Sequence, residues 1–232
     1  MDADPTYDHL SRDPSELDDL EVPEGAAPIV APHRVDARDI AIVDGGEPLV
    51  AVTDIACVNA YRAVGWDGTD ATVWLRARVA EQLHAVESVL PAGFTLAVFD
   101  GWRSPVTVRA LWDHYYGPGS TLEPGFLADP DDADIIPPHG TGGAVDLTLA
   151  WQGMPLSLGT AFDDFSPRAH LRAIEGEPGP ARELRRLLHL AMVAAGFAPN
   201  PMEWWHYSWG DQWWAATAGA DHAVHGPVSP RA

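Results

Sequence analysis

The apolar residues of this chain switch between helix-like and strand-like spacing, without the regular strand-helix-strand alternation of a parallel α/β fold. Helical spacing covers residues 72–90, 105–116 and 180–195, and strand-like runs cover residues 50–58, 94–99, 143–149 and 203–209. This mixture favours an α+β fold. We predict a central, mostly antiparallel sheet flanked by helices. A chain of 232 residues can form one sizeable core, so a single domain is sufficient.

The two ends of the chain differ from its centre in composition. Residues 1–27 are rich in Asp, Glu and Pro, which predicts an acidic N-terminal arm that is mobile or wraps around the domain. Residues 216–232 are mainly small, Pro and polar residues, which predicts a flexible tail. The functional domain is therefore expected at residues 28–215.

The charge of the chain excludes two classes of partner. The formal net charge is -20, which argues against a nucleic-acid or anionic-membrane surface. Residues 1–5 lack the basic and apolar regions of an export signal, and no apolar run reaches the roughly 20 residues of a membrane span. We therefore expect a cytoplasmic protein.

The only cysteine, Cys57, lies in an apolar run and is expected to be a buried structural thiol.

Two histidines and an aspartate form a candidate ligand set for zinc. His139 and Asp146 are separated by a glycine-rich run, HGTGGAVD, and His206 lies in EWWHYSW. Glycines permit a turn that folds back and brings both ends of such a run to one ion. Two imidazoles and one carboxylate leave a fourth zinc position for water, as in catalytic sites. A structural site with several thiolates is disfavoured because the chain has one cysteine.

Glu203 precedes His206 by three residues and is a candidate general base for that water. Residues three apart on an ideal strand point to opposite faces. If both side chains serve one site, we expect the strand to be bulged, twisted or turning there. The alternative is a Trp-rich core strand with a solvated Glu203.

Four sequence blocks in chain order are typical of one known family. They are FDGWRSP at 99–105, HGTGGAVDLTL at 139–149, LGTAFDDF at 158–165 and EWWHYSW at 203–209. Together they resemble the D-alanyl-D-alanine dipeptidases of vancomycin resistance, in the zinc D,D-peptidase family M15. The resemblance covers roughly residues 50–215.

The resemblance implies a zinc-dependent hydrolase of D-alanyl-D-alanine or a closely related small dipeptide. It implies one zinc ion per chain on the sheet, held by His139, Asp146 and His206, with Glu203 as the catalytic base. Arg103 matches the family arginine that polarises the scissile carbonyl, and an always-charged guanidinium suits a developing oxyanion.

The resemblance also implies how the substrate is selected. Asp163 matches the family aspartate that receives the free ammonium of the dipeptide, with Asp164 as the adjacent alternative. Asp100 is placed to orient the guanidinium of Arg103. The run PPHGT at 137–141 departs from the Ser-rich approach of the resistance dipeptidases, which alters the donors available to the substrate.

Two other functions remain open at this stage. One is a zinc carboxypeptidase or endopeptidase of the same fold, acting on longer cell-wall peptides. The other is a non-catalytic, metal-containing binding protein. Residues 117–138 form a long Gly-, Pro- and Asp-rich loop that we expect to cover the site. The sequence leaves the oligomeric state open.

Overall fold

The computed structural model describes residues 6–31 and 35–230. Residues 1–5, on which the expected lack of an export signal rests, and residues 231–232 of the expected tail lie outside the described residues. The strands are β1 (Ala41–Ile42), β2 (Leu49–Ala51), β3 (Ala56–Cys57), β4 (Trp74–Arg76), β5 (Phe94–Asp100), β6 (Ala144–Trp151), β7 (Met154–Pro155), β8 (Ala198–Asn200), β9 (Glu203–Ser208) and β10 (His222–Ala223). The helices are α1 (Ala60–Ala63), α2 (Ala77–Ser88), α3 (Pro105–Tyr115), α4 (Pro180–Ala194) and α5 (Gln212–Ala218).

A six-stranded sheet forms the centre of the molecule. Five of its strands follow the order β3-β5-β6-β9-β8, and β7 pairs with the end of β6. The long strand β6 is buried along its whole length, which its almost continuous apolar sequence predicts. Two smaller pairs, β2 with β4 and β1 with β10, lie outside this sheet.

The α+β prediction is confirmed, but the sheet is mixed rather than mostly antiparallel as predicted. Strands β3 and β5 are parallel, whereas β5, β6, β9 and β8 pair antiparallel in turn. Parallel neighbours need a crossover connection. Here the chain passes through α1, β4 and α2 between β3 and β5, so it re-enters the sheet in the same direction.

Helices α2 and α4 contribute apolar stripes to the core. Buried side chains recur at helical spacing in both, at Val79, Leu83 and Val86 and at Leu184, Leu188 and Met192. They join alternate residues of β6, Val145, Leu147 and Leu149, in one hydrophobic cluster. Alternation along β6 leaves Asp146 on the opposite face of the sheet. No helix within the described residues is long and apolar enough to cross a membrane.

The helix predicted over residues 72–90 begins later than expected. Residues 74–76 instead form β4, which pairs antiparallel with β2, and α2 starts at Ala77. The backbone N–H of Arg76 also donates to the carbonyl of Gly142, at 2.9 Å. The prediction was wrong there because these partners are distant in sequence, and tertiary contacts override helical periodicity.

Both end segments pack against the domain in their described parts. The ring of Tyr7 is buried and meets Tyr61 and Phe162 edge-on, with centroids 6.1 and 5.2 Å away. Residues expected to form a flexible tail include β10, and the N–H of Val228 donates to the carbonyl of Gly140 at 3.1 Å. The domain limits at residues 28 and 215 stay a prediction.

Cys57 is exposed, so the prediction of a buried thiol was wrong. It belongs to β3, a two-residue strand at the edge of the sheet. The buried side chain of this segment is instead that of Ile55, two residues before Cys57, with 4% of its surface exposed.

Candidate metal centre

Strand register places a row of polar side chains across the site face of the sheet. Asp146 on β6 is the cross-strand partner of Asp100 on β5 and of His206 on β9. Directly opposed residues share a face and lie close together. A register shift between Val98 and Asp100 inserts one extra residue and directs Asp100 to this face. All three polar residues are buried.

His139 reaches the same point from a short 3-10 turn, Pro138–Thr141. Gly142 ends the turn with φ of 70°, and its N–H donates to the carbonyl of His139 at 3.2 Å. Arg76 is buried beneath the turn and donates from Nε to the carbonyl of Thr141 at 2.7 Å. The glycine turn predicted between His139 and Asp146 is therefore confirmed, and Arg76 holds it in place.

Gly142→Ala is expected to lower the free energy of unfolding by about 1–3 kcal/mol, because alanine is strained at positive φ. The new Cβ would also collide with the side chain of Leu49. Thermal denaturation should show a fall in Tm. Gly140→Ala is the matched control, since a Cβ there meets no atom within 4 Å. Equal Tm values for the two variants would contradict the strain argument.

The three candidate ligands present their donor atoms to one another. The distance from His139 Nε2 to His206 Nδ1 is 3.1 Å, and His206 Nδ1 lies 3.0 Å from Asp146 Oδ1. His139 Nε2 is 3.3 Å from Asp146 Oδ2. Zinc bonds of about 2.0–2.1 Å at tetrahedral angles separate donor atoms by about 3.3 Å. The two distances to Asp146 end on different oxygens, but these three residues, called the donor triangle here, lie close enough together to hold one metal ion.

The remaining ring nitrogens set the orientation of both imidazoles. His139 Nδ1 lies 2.7 Å from the carbonyl of Gly101, so it carries the proton and leaves the Nε2 lone pair free. His206 Nε2 lies 3.3 Å from Ser208 Oγ. Such outer contacts commonly fix metal-binding histidines. Burial and the nearby Arg103 lower the pKa of His139, which favours the neutral form that binds metal.

Arg103 lies beside this triangle, just after β5. Its Nε donates to Asp100 Oδ2 and its Nη2 to Asp146 Oδ2, both at 2.6 Å. The guanidinium also stacks over the ring of Tyr61, 4.6 Å from the ring centroid. These contacts hold a buried cation in one orientation at the edge of the cavity. Burial alone would raise the pKa of Asp146, but His139 and Arg103 lower it overall.

Glu203 and His206 both face the cavity although they are three residues apart on β9. The pairing of β8 with β9 shifts register here, from Pro199 opposite Tyr207 to Asn200 opposite Glu203. The predicted irregularity of the strand is thus confirmed. Asn200 Nδ2 donates to Glu203 Oε2 at 2.8 Å. Burial, with the charges of Asp146 and Asp163, raises the pKa of Glu203 well above its ordinary value.

Asp163 lines the same cavity from the loop after β7. Its backbone is left-handed, with φ of 54°, and residues held in that region often serve a site. Its Oδ2 atom is buried and has no hydrogen-bond partner among the described residues. Burial raises the pKa of Asp163 to about 8, although Arg103 acts in the opposite direction. The neighbouring Asp164 instead accepts from the N–H of Ser166.

Two residues of the site were not predicted from the sequence. Tyr61 belongs to the short helix α1, and no motif marked it. Asn200 was detectable in principle, because Asn-Pro at 200–201 is a turn signal next to Glu203. The loop at residues 117–138, expected to cover the site, contributes Gly125 to Ala128 and Ile136 to the cavity wall.

Comparisons with known proteins agree with the family resemblance of the four sequence blocks at 99–105, 139–149, 158–165 and 203–209. The family of D-Ala-D-Ala dipeptidases within the M15 peptidases matches residues 67–225. A D-alanyl-D-alanine dipeptidase of Synechocystis is 28% identical over 230 residues, covering 82% of this chain and 93% of the relative. A D-alanyl-D-alanine dipeptidase of Enterococcus faecium is 29% identical over 136 residues, covering 54% of this chain and 67% of the relative.

Solved structures that are similar to this chain include one enzyme complex. It is a vancomycin-resistance D,D-dipeptidase in complex with a phosphinate analogue of D-Ala-D-Ala, with a TM-score of 0.40 and 19% identity, covering 74% of this chain and 62% of that chain. A likeness of this size adds nothing to the assignment. The family match, in contrast, spans most of the chain and includes every site residue from Asp100 to His206. This chain therefore belongs to the D-Ala-D-Ala dipeptidase family of M15 peptidases.

Proposed function

We propose that this chain is a zinc-dependent dipeptidase that hydrolyses D-alanyl-D-alanine or a closely related small dipeptide. The observation that carries the proposal is the donor triangle of His139, Asp146 and His206, with Glu203 and Arg103 lining one cavity beside it. The family is metal-dependent, and relatives named D-alanyl-D-alanine dipeptidases support the substrate class.

The balance of charge around Arg103 supports a divalent cation. Asp100, Asp146, Asp163 and Glu203 all interact with this one guanidinium. Burial and mutual repulsion raise the pKa of Asp100, Asp163 and Glu203, because one guanidinium cannot compensate four ionised carboxyl groups, which would leave three negative charges in excess. Uncompensated buried charge is costly. A zinc ion and a substrate ammonium together would offset this excess.

Within the proposal, His139, Asp146 and His206 hold the zinc ion. When bound, zinc supplies Lewis-acid polarisation of the carbonyl and lowers the pKa of water to about 7. Arg103 donates hydrogen bonds to the carbonyl oxygen as negative charge develops there. Asp100 keeps the guanidinium oriented for that task.

Glu203 moves the proton. Its carboxylate accepts a proton from the attacking water and returns it to the nitrogen of the leaving residue, when the amide C–N bond breaks. A raised pKa suits both steps near neutral pH. Asn200 holds the Oε2 atom during the transfer.

Asp163 selects for a free amino terminus. Its unpartnered Oδ2 atom would accept a hydrogen bond from the substrate ammonium. A longer or capped peptide would place a neutral amide there and leave the carboxylate uncompensated. The substrate therefore has one residue, with a free ammonium group, on the amino side of the cleaved bond.

This selection distinguishes the proposal from a carboxypeptidase acting on longer peptides. With zinc present, kcat/KM for D-Ala-D-Ala is expected to exceed that for N-acetyl-D-Ala-D-Ala by at least about 100-fold, since the cap removes the ammonium and leaves the buried Asp163 without its hydrogen-bond partner. A cell-wall pentapeptide should likewise not be hydrolysed. Asp163→Asn should reduce this ratio strongly, and Asp164→Asn is the matched control. Equal cleavage of free and capped peptides by the parent enzyme would favour the carboxypeptidase.

The non-catalytic binding protein is less well supported. A binding site needs neither a buried carboxyl group beside the metal ligands nor a guanidinium fixed by two carboxylates, and both are present here. Turnover of D-Ala-D-Ala by the zinc-loaded protein decides between the two.

A further inference from the structure

The cavity beside the candidate metal centre is larger than two alanine residues require. Its volume is about 410 Å³, within the range of about 300–1,000 Å³ found for drug-sized ligands. D-Ala-D-Ala carries only two methyl side chains, so it would leave much of this space without protein-ligand contact. The unfilled part indicates where a larger substrate group fits.

The cavity has a polar end and an apolar wall. The polar end contains the candidate catalytic residues. The apolar wall is defined here as Leu127, Ala128, Ile135, Ile136, Met202 and Trp213, all of them half-buried. A wall of this kind gains free energy by covering an apolar side chain, in proportion to the area removed from water.

Polar contacts hold the apolar wall in place. Gln212, which is buried, accepts a hydrogen bond from the N–H of Ile136 at 2.9 Å and donates to the carbonyl of Asp134 at 3.0 Å. Trp213 donates from Nε1 to the carbonyl of Pro199 at 3.2 Å. The long loop, helix α5 and strand β8 are thereby joined. The shape of the cavity is consequently fixed by hydrogen bonds between the segments that line it.

One end of the apolar wall, at Met202, adjoins the residue that must serve the leaving group. Glu203 must return its proton to the leaving nitrogen, so the leaving residue binds beside Glu203. Met202 of the wall directly precedes Glu203, and Asn200 at the same turn bonds to its carboxyl group. The amino end of the substrate is instead expected toward Asp163, which interacts with Arg103, Asp146, Tyr61 and Asp100.

We infer that the preferred substrate is a D,D-dipeptide whose leaving residue carries an apolar side chain larger than methyl, about the size of leucine. This inference rests on the proposed dipeptidase function and deepens it. For D-Ala-D-Leu, one water is consumed, the amide C–N bond breaks, and D-Ala and D-Leu are released. Asp163 and zinc keep their roles unchanged.

Two isomeric dipeptides test the inference with the zinc-loaded enzyme. D-Ala-D-Leu is expected to exceed D-Ala-D-Ala in kcat/KM by at least about tenfold, the smallest effect expected for added methylenes in an apolar pocket. D-Leu-D-Ala, of identical composition, should show no such gain. Cleavage of D-Ala-D-Ala with no preference for D-Ala-D-Leu would overturn the inference and leave the proposed function intact. A preference for D-Leu-D-Ala would also overturn it, and cleavage of none of the three would overturn both.

A cavity-filling variant tests the wall itself. Ala128→Phe should lower the ratio of kcat/KM for D-Ala-D-Leu to that for D-Ala-D-Ala by at least about tenfold, because the added ring occupies the space for leucine. Ala85→Phe, which adds the same ring at an exposed position of α2 away from the cavity, is the matched control and should keep the parent ratio. Since both substrates are measured on the same preparation, partial misfolding cancels. An unchanged ratio in Ala128→Phe would show that the leucine side chain binds elsewhere, and the apolar wall would then not be its binding site.

Discussion

Replacing His139 by alanine is expected to abolish both zinc binding and hydrolysis. The Nε2 atom of His139 forms one corner of the donor triangle, 3.1 Å from His206 Nδ1 and 3.3 Å from Asp146 Oδ2. Two remaining protein ligands do not make a catalytic zinc site, which requires three. We expect about one zinc per chain in the parent and close to none in His139→Ala after dialysis.

The control for this prediction is His84→Ala. His84 lies on α2 and is exposed, so its loss should leave zinc content and activity unchanged. Far-ultraviolet circular dichroism should show that His139→Ala keeps its secondary structure. A folded His139→Ala protein that still carries one zinc per chain would refute the ligand assignment.

Glu203→Gln is expected to lower kcat by about 10² to 10⁴ while zinc stays bound, the range found for loss of a general base. Glutamine keeps the shape of the side chain, and its carbonyl oxygen can still accept the hydrogen bond from Asn200. It cannot accept the proton of the attacking water. The measurement is kcat for D-Ala-D-Ala together with zinc content.

Glu183→Gln is the matched control, because Glu183 is also a buried, ion-paired glutamate but lies on α4. Its kcat should equal that of the parent. If Glu203→Gln retained parent turnover, the proton would have to move through another group. If it lost zinc as well as activity, Glu203 would belong to the ligand set instead.

Much of the secondary structure follows from local pattern. The helix predicted at residues 180–195 is observed at Pro180–Ala194, and the strand predicted at 94–99 is observed at Phe94–Asp100. These segments have clear periodicity and end at Gly or Pro signals, which act within a few residues. The helix prediction was wrong at residues 74–76 because the pairing of this segment with β2 is a long-range contact.

The sequence by itself determined which chemical groups the site contains. Histidine, aspartate and glutamate, in blocks that resemble those of one family, predict ligand and proton-transfer chemistry through their residue types and their order in the chain. The glycine turn before Asp146 and the irregular strand at Glu203 were predictable for the same reason.

Only the tertiary structure decided how these groups meet. The pairing of Asp146 with both Asp100 and His206 depends on strand register, and the position of Arg103 between two carboxylates depends on that pairing. The exposure of Cys57 and the parallel pairing of β3 depend on which strand occupies the sheet edge. The cavity and its apolar wall combine segments that are up to about 180 residues apart. Register, edge position and cavity size arise from contacts between distant residues, and local sequence carries no signal for them.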